Sequence, residues 1–193
     1  KVDPEVAESV AEAAKAFAEL GAHVEEADPG FESPRDAFYT LWASGGAKIV
    51  AMIDPHARKQ MDPGLIAMAE VGARFTAVEY LGAEAIRAAM IVRMNAFHRR
   101  FDLLLTPTVA VPALPVGQDL NDRHDRHWID WTPFSYPFNM TRQPAASVPC
   151  GKTRAGLPIG LQIVGRLNED SLVLRAARAY EAARPFPFPR VAP

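Results

Sequence analysis

The length and composition of this chain favour a soluble globular protein. It has 193 residues, of which 49% are hydrophobic and 23% are charged. That mixture is enough for one domain with a sizeable core, and it excludes a disordered or collagen-like chain. The formal net charge of −2 supplies no positive field to attract phosphates, so we expect no nucleic-acid partner.

The cysteine content and the apolar runs bear on the location of the protein. Cys150 is the only cysteine, so no internal disulfide can form, which fits a reducing cytoplasm. No apolar run approaches the roughly 20 residues that cross a bilayer, and the first residues lack a signal-peptide pattern. We therefore predict a cytoplasmic protein with no membrane partner. Because a helix starts directly after Lys1, we also expect the chain to be part of a longer one.

Helices are predicted to dominate the first half of the chain. Asp3 can accept hydrogen bonds from free backbone N–H groups and Pro4 fits a first helical turn, so a helix is expected to begin there. It should end near Gly21, and a short β-compatible segment follows over residues 23–26. Further helix starts are predicted at Ser33 with Pro34, at Asp62 with Pro63, and at the capping box of Thr76 with Glu79.

The second half changes to a pattern typical of buried strands. Apolar runs bounded by polar or turn residues predict strands over 103–106, 145–148 and 159–164. Asn168 is expected to cap a last helix, which precedes a Pro-rich tail over 184–193. We predict an α/β fold and treat residues 1–193 as a single portion of one domain.

Several stretches of this sequence resemble the amidase-signature family in their order and spacing. The C-terminal signature is carried by NMTRQPAASVPCG over 139–151 and by GLPIGLQIVG over 156–165. Additional matching stretches are VDPEV over 2–6, FDLLLTPT over 101–108 and NED over 168–170. The resemblance therefore covers nearly the whole chain and identifies it as the C-terminal portion of the amidase-signature fold.

The resemblance implies both a fold and a chemistry. The fold would be a mixed β-sheet covered by helices on both faces. The reaction would be hydrolysis of a carboxamide C–N bond through a serine acyl-enzyme, without a cofactor. The family's triad of a lysine, a serine in a cis peptide and a nucleophilic serine lies upstream of the matching region, in a Gly/Ser-rich loop that supplies oxyanion donors. None of the six serines here lies in such a loop, so we expect no catalytic residue in this chain.

Five residues around the start of the signature are candidate substrate-binding residues. In related enzymes the stretch that leads to the signature helps to wall the substrate pocket. The candidates are Thr132, Phe134, Tyr136, Phe138 and Asn139. Their aromatic content suggests an apolar acyl or leaving group, although the alternation could equally reflect packing. The Asn139 amide either ties the loop backbone or faces the site, and Ser147 is expected to pack beneath the pocket.

Two residues depart from the family's usual pattern. Arg142 stands where glycine is common, and Lys152 stands where an apolar or aromatic residue is frequent. If the glycine provides backbone freedom, Arg142 either rebuilds the loop or adopts a positive φ at a strain cost of about 1 kcal/mol.

Other groups that could carry chemistry each have a structural explanation. Ser44 and Lys48 lie four apart on a predicted helix, but no oxyanion donors flank them, so we expect a helical surface pair. Cys150 has no neighbouring histidine in the sequence and is expected to be a buried thiol at a strand end. Another group has the composition of a zinc site but an irregular spacing on a loop, so we predict no bound metal. Its members are Asp122, His124, Asp125, His127 and Asp130.

Three functions are compatible with these observations. The first is part of an amidase, in which this chain supplies strands and one pocket wall; its partners would be a small-molecule amide and the missing N-terminal half, or a second copy in a homodimer. The second is the A subunit of a tRNA-dependent amidotransferase, which usually carries an acidic residue where Thr132 stands here. The third is a non-catalytic binding or scaffold module of the same fold.

Overall fold

The computed structural model describes residues 2–116 and 128–187. Each predicted helix and strand, except the segment over 23–26, is found there within a few residues. The bounds are α1 Pro4–Glu19, α2 Arg35–Ala51, α3 Pro55–Arg58, α4 Pro63–Gly72, α5 Ala77–Phe97, β1 Leu103–Pro107, α6 Tyr136–Thr141, β2 Ala145–Lys152, β3 Pro158–Gly165 and α7 Asp170–Ala183, with a 3₁₀ turn over Trp128–Trp131. None of these helices is both long enough and apolar enough to cross a membrane.

Residue contacts group the chain into two units. The first comprises Lys1–Gly30 with Met94–Pro193, and the second comprises Phe31–Arg93. The expected single domain over 1–193 stays a prediction, because this grouping describes packing and not independent folding.

The first unit is built on a sheet whose strand order is β1-β3-β2. Both strand pairs are antiparallel, so any parallel pairs of the expected mixed sheet are not among the described strands. Gly156, with φ 84, lies in the turn between β2 and β3, where a positive φ favours glycine. The predicted α/β class is confirmed by helices that pack on this sheet.

Helices α1 and α7 cover one face of the sheet. Their buried side chains meet Val148 of β2 and Leu161 and Ile163 of β3 in one apolar cluster. The rings of Phe17 and Tyr180 stack within it, with centroids 5.5 Å apart. Because Leu161 and Ile163 are completely buried and side chains alternate along a strand, the residues between them point to the opposite face.

Side-chain capping marks the starts of α1 and α5. The Asp3 side chain accepts a hydrogen bond from the Glu5 N–H at 2.9 Å. In the capping box, the Thr76 N–H donates to the Glu79 carboxylate at 2.7 Å and the Glu79 N–H donates to the Thr76 hydroxyl at 3.2 Å. The bonds that Thr76 donates hold the pKa of Glu79 below its ordinary value. Gly21 follows α1 with φ 93, as expected of a residue just past a helix end.

Two local predictions are wrong. Residues 23–26 form no strand and their side chains are exposed, because β propensity does not make a strand without a neighbouring strand to pair with. Asn168 does not cap α7: it adopts φ 66, and the cap position belongs to Glu169, whose side chain makes no capping bond. Asn168 instead takes the left-handed turn before the helix, a conformation that asparagine tolerates well.

The second unit depends on close packing between α2 and α4. Small residues allow this approach: Ala43 is fully buried on α2, and the backbone of Gly72 on α4 lies directly against its carbonyl group. Gly46 of α2 likewise leaves room for the end of the Met68 side chain. The two helices therefore meet through backbone contacts that admit no larger side chain at position 72.

Arg142 adopts the strained one of its two predicted conformations. It follows α6 with φ 62 and ψ 23, in the left-handed region, and its side chain is exposed. We expect Arg142→Gly to raise the free energy of unfolding by up to about 1 kcal/mol, because glycine adopts a positive φ without steric cost. Urea unfolding of both proteins measures this change. A loss of several kcal/mol would instead mean that the guanidinium makes a structural contact.

Candidate functional site

The face of the sheet opposite α1 and α7 carries a row of polar side chains, and we call it the open face. The register pairs Thr106 of β1 with Gln162 of β3, and Gln162 with Ser147 of β2. The three residues therefore lie side by side across the strands. An apolar row of Leu104, Val164 and Ala145 runs beside them in the same register.

Gln162 fixes residues 132–139, which we call the predicted pocket segment, to the open face. Its side chain is 7% exposed. The amide nitrogen donates to the Thr106 hydroxyl at 2.9 Å and to the Phe134 carbonyl oxygen at 2.8 Å. The Thr106 hydroxyl in turn donates to the Pro107 carbonyl oxygen at 3.0 Å. A buried amide is costly unless it is hydrogen-bonded, so these bonds favour one position for residues 132–135.

A second polar contact joins Ser147 of this row to Thr108, which lies two residues beyond Thr106. The hydroxyl oxygens of Thr108 and Ser147 are 2.7 Å apart. They lie over Gly160, where a Cβ atom would approach the Thr108 hydroxyl to 2.7 Å and the Ser147 hydroxyl to 3.0 Å. The Ser135 hydroxyl donates to the Thr108 carbonyl oxygen at 3.1 Å. The predicted pocket segment thus contacts the open face at two places.

The five predicted substrate-binding residues fall into two environments. Thr132 and Phe134 are half-buried, and the Thr132 hydroxyl donates to the Ile129 carbonyl oxygen at 3.2 Å. Tyr136 and Phe138 are each 5% exposed on α6. The Asn139 side chain is exposed, and among the described residues it makes no hydrogen bond to the loop backbone. A role in substrate binding stays a prediction for all five.

Thr106, Thr108 and Gln162 are absent from the predicted site. Gln162 does leave a signal in the sequence, because it is the one polar side chain within the apolar run of β3. Thr106 similarly closes the apolar run of β1. Ser147 is exposed on the open face, because Val148, its neighbour in β2, is buried against the helices. Its expected place beneath the pocket stays a prediction.

Cys150 lies on the helix-covered side and is not set up as a nucleophile. The Ser9 hydroxyl donates to the Cys150 carbonyl oxygen at 3.2 Å and lies 3.6 Å from the sulfur. Burial raises the pKa of the thiol above its ordinary value, which keeps it protonated at neutral pH. The thiol lines a cavity of about 330 Å³ beside Tyr180, Arg184 and Phe186. The prediction of a structural thiol fits this setting.

The other candidate groups make no described site. Ser44 and Lys48 lie on α2, and no hydrogen bond joins them in the part of the chain that the structure describes. Of the suggested zinc ligands, Asp122, His124, Asp125 and His127 lie outside the described residues. Asp130 is exposed in the 3₁₀ turn. Over residues 2–116 and 128–187, no group of three or more His, Cys, Asp or Glu side chains could hold a metal, and the predicted absence of a metal stays a prediction.

Helices on an antiparallel sheet with a polar open face define an α/β protein, and comparison with known proteins gives its family. The Amidase family model matches residues 1–174. An acylamidase of Rhodococcus erythropolis is 36% identical over an alignment of 196 residues, gaps included, which covers 96% of this chain and 40% of that protein. The A subunit of the glutamyl-tRNA(Gln) amidotransferase of Myxococcus xanthus is 40% identical over 114 residues, covering 59% of this chain and 23% of that protein.

A solved structure agrees with the sequence relatives. A bacterial aryl acylamidase of the amidase signature family superposes with a TM-score of 0.76 and 28% identity, over 95% of this chain and 41% of that one. The chain belongs to the amidase family. It spans about 40% of the length of the acylamidase relative.

Proposed function

We propose that this chain is the C-terminal part of an amidase that hydrolyses carboxamide C–N bonds through a serine acyl-enzyme. In this proposal the open face and residues 132–139 form one wall of the substrate pocket. The observation that supports it is the attachment of this segment to the open face, through Gln162 to the Phe134 carbonyl and through Ser135 to the Thr108 carbonyl. A wall that is held at two points can present the same groups to each substrate.

The chemistry of the described residues suits binding rather than bond cleavage. The open face offers hydroxyl and amide groups, and the Ser147 hydroxyl contacts another hydroxyl rather than a base. Acyl transfer needs a nucleophile, a base and oxyanion donors in one place. We therefore propose that the serine and lysine residues of the reaction belong to a portion of the enzyme that this chain does not match.

The A subunit of a tRNA-dependent amidotransferase is a second candidate. It is favoured by the 40% identity to the M. xanthus protein. Thr132 disfavours it, because that kind of protein usually carries an acidic residue there to hold a substrate amine. The predictions of a cytoplasmic location and of no cofactor, nucleic-acid or membrane partner stay open beside both candidates, as does self-association.

A fusion protein tests the proposal. Residues 1–193 replace the matching 40% of the R. erythropolis acylamidase, and release of aniline from acetanilide is measured. We expect the fusion to turn over. The chain alone should be lower by several orders of magnitude, because loss of a nucleophile and its base has effects of that size. The remaining acylamidase portion alone should also be lower, because it lacks one wall of the substrate pocket.

The solution mass and the fold of each protein serve as controls. Gel filtration and circular dichroism show whether the fusion is folded before its activity is judged. Turnover by the chain alone, as a monodisperse monomer, would contradict the proposal. A folded fusion that binds anilides but does not cleave them would favour the non-catalytic binding module, and a fusion that releases ammonia from glutamine would favour the amidotransferase.

A further inference from the structure

The hydroxyl pair of Thr108 and Ser147 has an unused hydrogen-bonding capacity. Each hydroxyl carries one hydrogen, and a single hydrogen bond of 2.7 Å joins the two oxygens. One of the two hydrogens is therefore not used within the pair, and neither hydroxyl bonds to another side chain in the described residues. The hydroxyl that accepts the bond within the pair can donate its own hydrogen to an acceptor oxygen placed over the open face.

Gly160 determines where this donor lies. Both hydroxyl oxygens stand within 3.0 Å of the place that a Cβ atom of residue 160 would occupy. A glycine at this position therefore lets the two hydroxyls meet over the middle strand. The Thr108 backbone is held as well, since its N–H donates to the Gly160 carbonyl oxygen at 2.9 Å and its carbonyl accepts from Ser135. The donor is positioned before any ligand arrives.

The residues that the strand register places beside the pair are uncharged. They are Gln162, Thr106 and Pro149. A carboxylate that leaves water for a site with neutral groups loses hydration free energy that these groups do not replace, whereas a carbonyl oxygen needs only one hydrogen-bond donor. The face thus favours a neutral acceptor over an anionic one.

We propose that the Thr108–Ser147 hydroxyl pair binds a neutral acceptor oxygen of the amide substrate, and that it selects neutral oxygen-bearing amides over hydrocarbon and carboxylate analogues. The inference rests on the proposed function. It assigns the pair a role in specificity and not in bond cleavage, since neither hydroxyl hydrogen-bonds to a base among the described residues.

Matched substrates test this selection in the acylamidase fusion. On the acyl side the pair is 4-oxopentananilide and 4-methylpentananilide, with succinanilic acid as the carboxylate analogue. On the amine side the pair is 4′-acetylacetanilide and 4′-isopropylacetanilide. For one of the two substrate pairs, we expect the double variant Thr108→Val with Ser147→Ala to lower the kcat/KM of the ketone relative to that of the hydrocarbon by about fivefold. Loss of one neutral hydrogen bond has an effect of that size. The unsubstituted fusion should also prefer the ketone to the carboxylate.

Two further variants separate binding from general damage. Gly160→Ala keeps both hydroxyls but displaces them, so it should lower the same ratio. Thr40→Val with Ser171→Ala removes two hydroxyls elsewhere on the chain and should leave the ratio unchanged. Ratios that stay constant in the Thr108 and Ser147 variant, or that fall equally in the control, would overturn the proposal. If the fusion cleaves no amide, the proposed function is contradicted. The role of the two hydroxyls is then tested by the ratio of Kd values for the ketone and hydrocarbon compounds, measured by ligand-observed NMR in the same variants.

Discussion

Replacing Gly72 by alanine is expected to lower the free energy of unfolding by about 3 kcal/mol or more, as severe overpacking does. A Cβ atom at residue 72 would overlap the carbonyl oxygen and carbon of Ala43 and lie 2.8 Å from the Ser44 nitrogen. These are backbone atoms, so no change of rotamer can relieve the overlap, and α2 and α4 would have to move apart. Urea unfolding followed by circular dichroism measures the loss.

Gly45→Ala is the matched control for this substitution. Gly45 lies on α2, and a Cβ atom there would meet nothing within 4 Å. Alanine is a better helix former than glycine by about 1 kcal/mol, so the control should be neutral or stabilising. If Gly72→Ala behaves like Gly45→Ala, the close contact between α2 and α4 is not present in solution.

The second large effect is expected at Gln162. Replacement by methionine keeps most of the side-chain volume but removes the donors to the Thr106 hydroxyl and the Phe134 carbonyl oxygen. We expect a loss of about 2 to 3 kcal/mol, because two hydrogen bonds are lost and a partly buried carbonyl is left without its donor. In the acylamidase fusion, kcat/KM should fall as well, since residues 132–135 lose a point of attachment.

Gln143→Met is the control for the Gln162 substitution. Gln143 is also buried, at 7% exposure, but its amide nitrogen has no partner among the described residues. Its amide oxygen accepts from the Thr141 hydroxyl, which also lies 2.9 Å from the Pro137 carbonyl oxygen and can keep that bond. We expect a loss below about 1 kcal/mol. Equal losses at the two positions would show that Gln162 does not hold the pocket segment.

The parts of the fold that the sequence predicts depend on short-range chemistry. The cap of Asp3 and the capping box of Thr76 with Glu79 join residues only two or three positions apart, so their patterns are complete within one stretch of sequence. The apolar runs of β1, β2 and β3 are likewise visible in the sequence, because strands that pack between other elements need continuous apolar residues. The family resemblance rests on these same runs and on the turn at Gly156.

The candidate site is less visible in the sequence because its contacts are distant along the chain. Thr108 and Ser147 are 39 positions apart, and Gln162 and Thr106 are 56 positions apart. Only strand register brings these residues together. The segment over 132–139 is indicated through the family resemblance, but its attachment to the open face follows from the pairing of β1, β3 and β2.

The starts of α1, α2, α4 and α5, the apolar strands and the amidase family follow from the sequence alone, because each depends on neighbouring residues or on a preserved order of motifs. Tertiary packing was needed to show that residues 23–26 are not a strand and that Asn168 lies in a turn. The same is true of His98, which is buried with its Nδ1 3.0 Å from the Phe101 carbonyl oxygen and its pKa lowered by that burial. Each of these features depends on which distant groups surround a residue, and a local pattern carries no information about them.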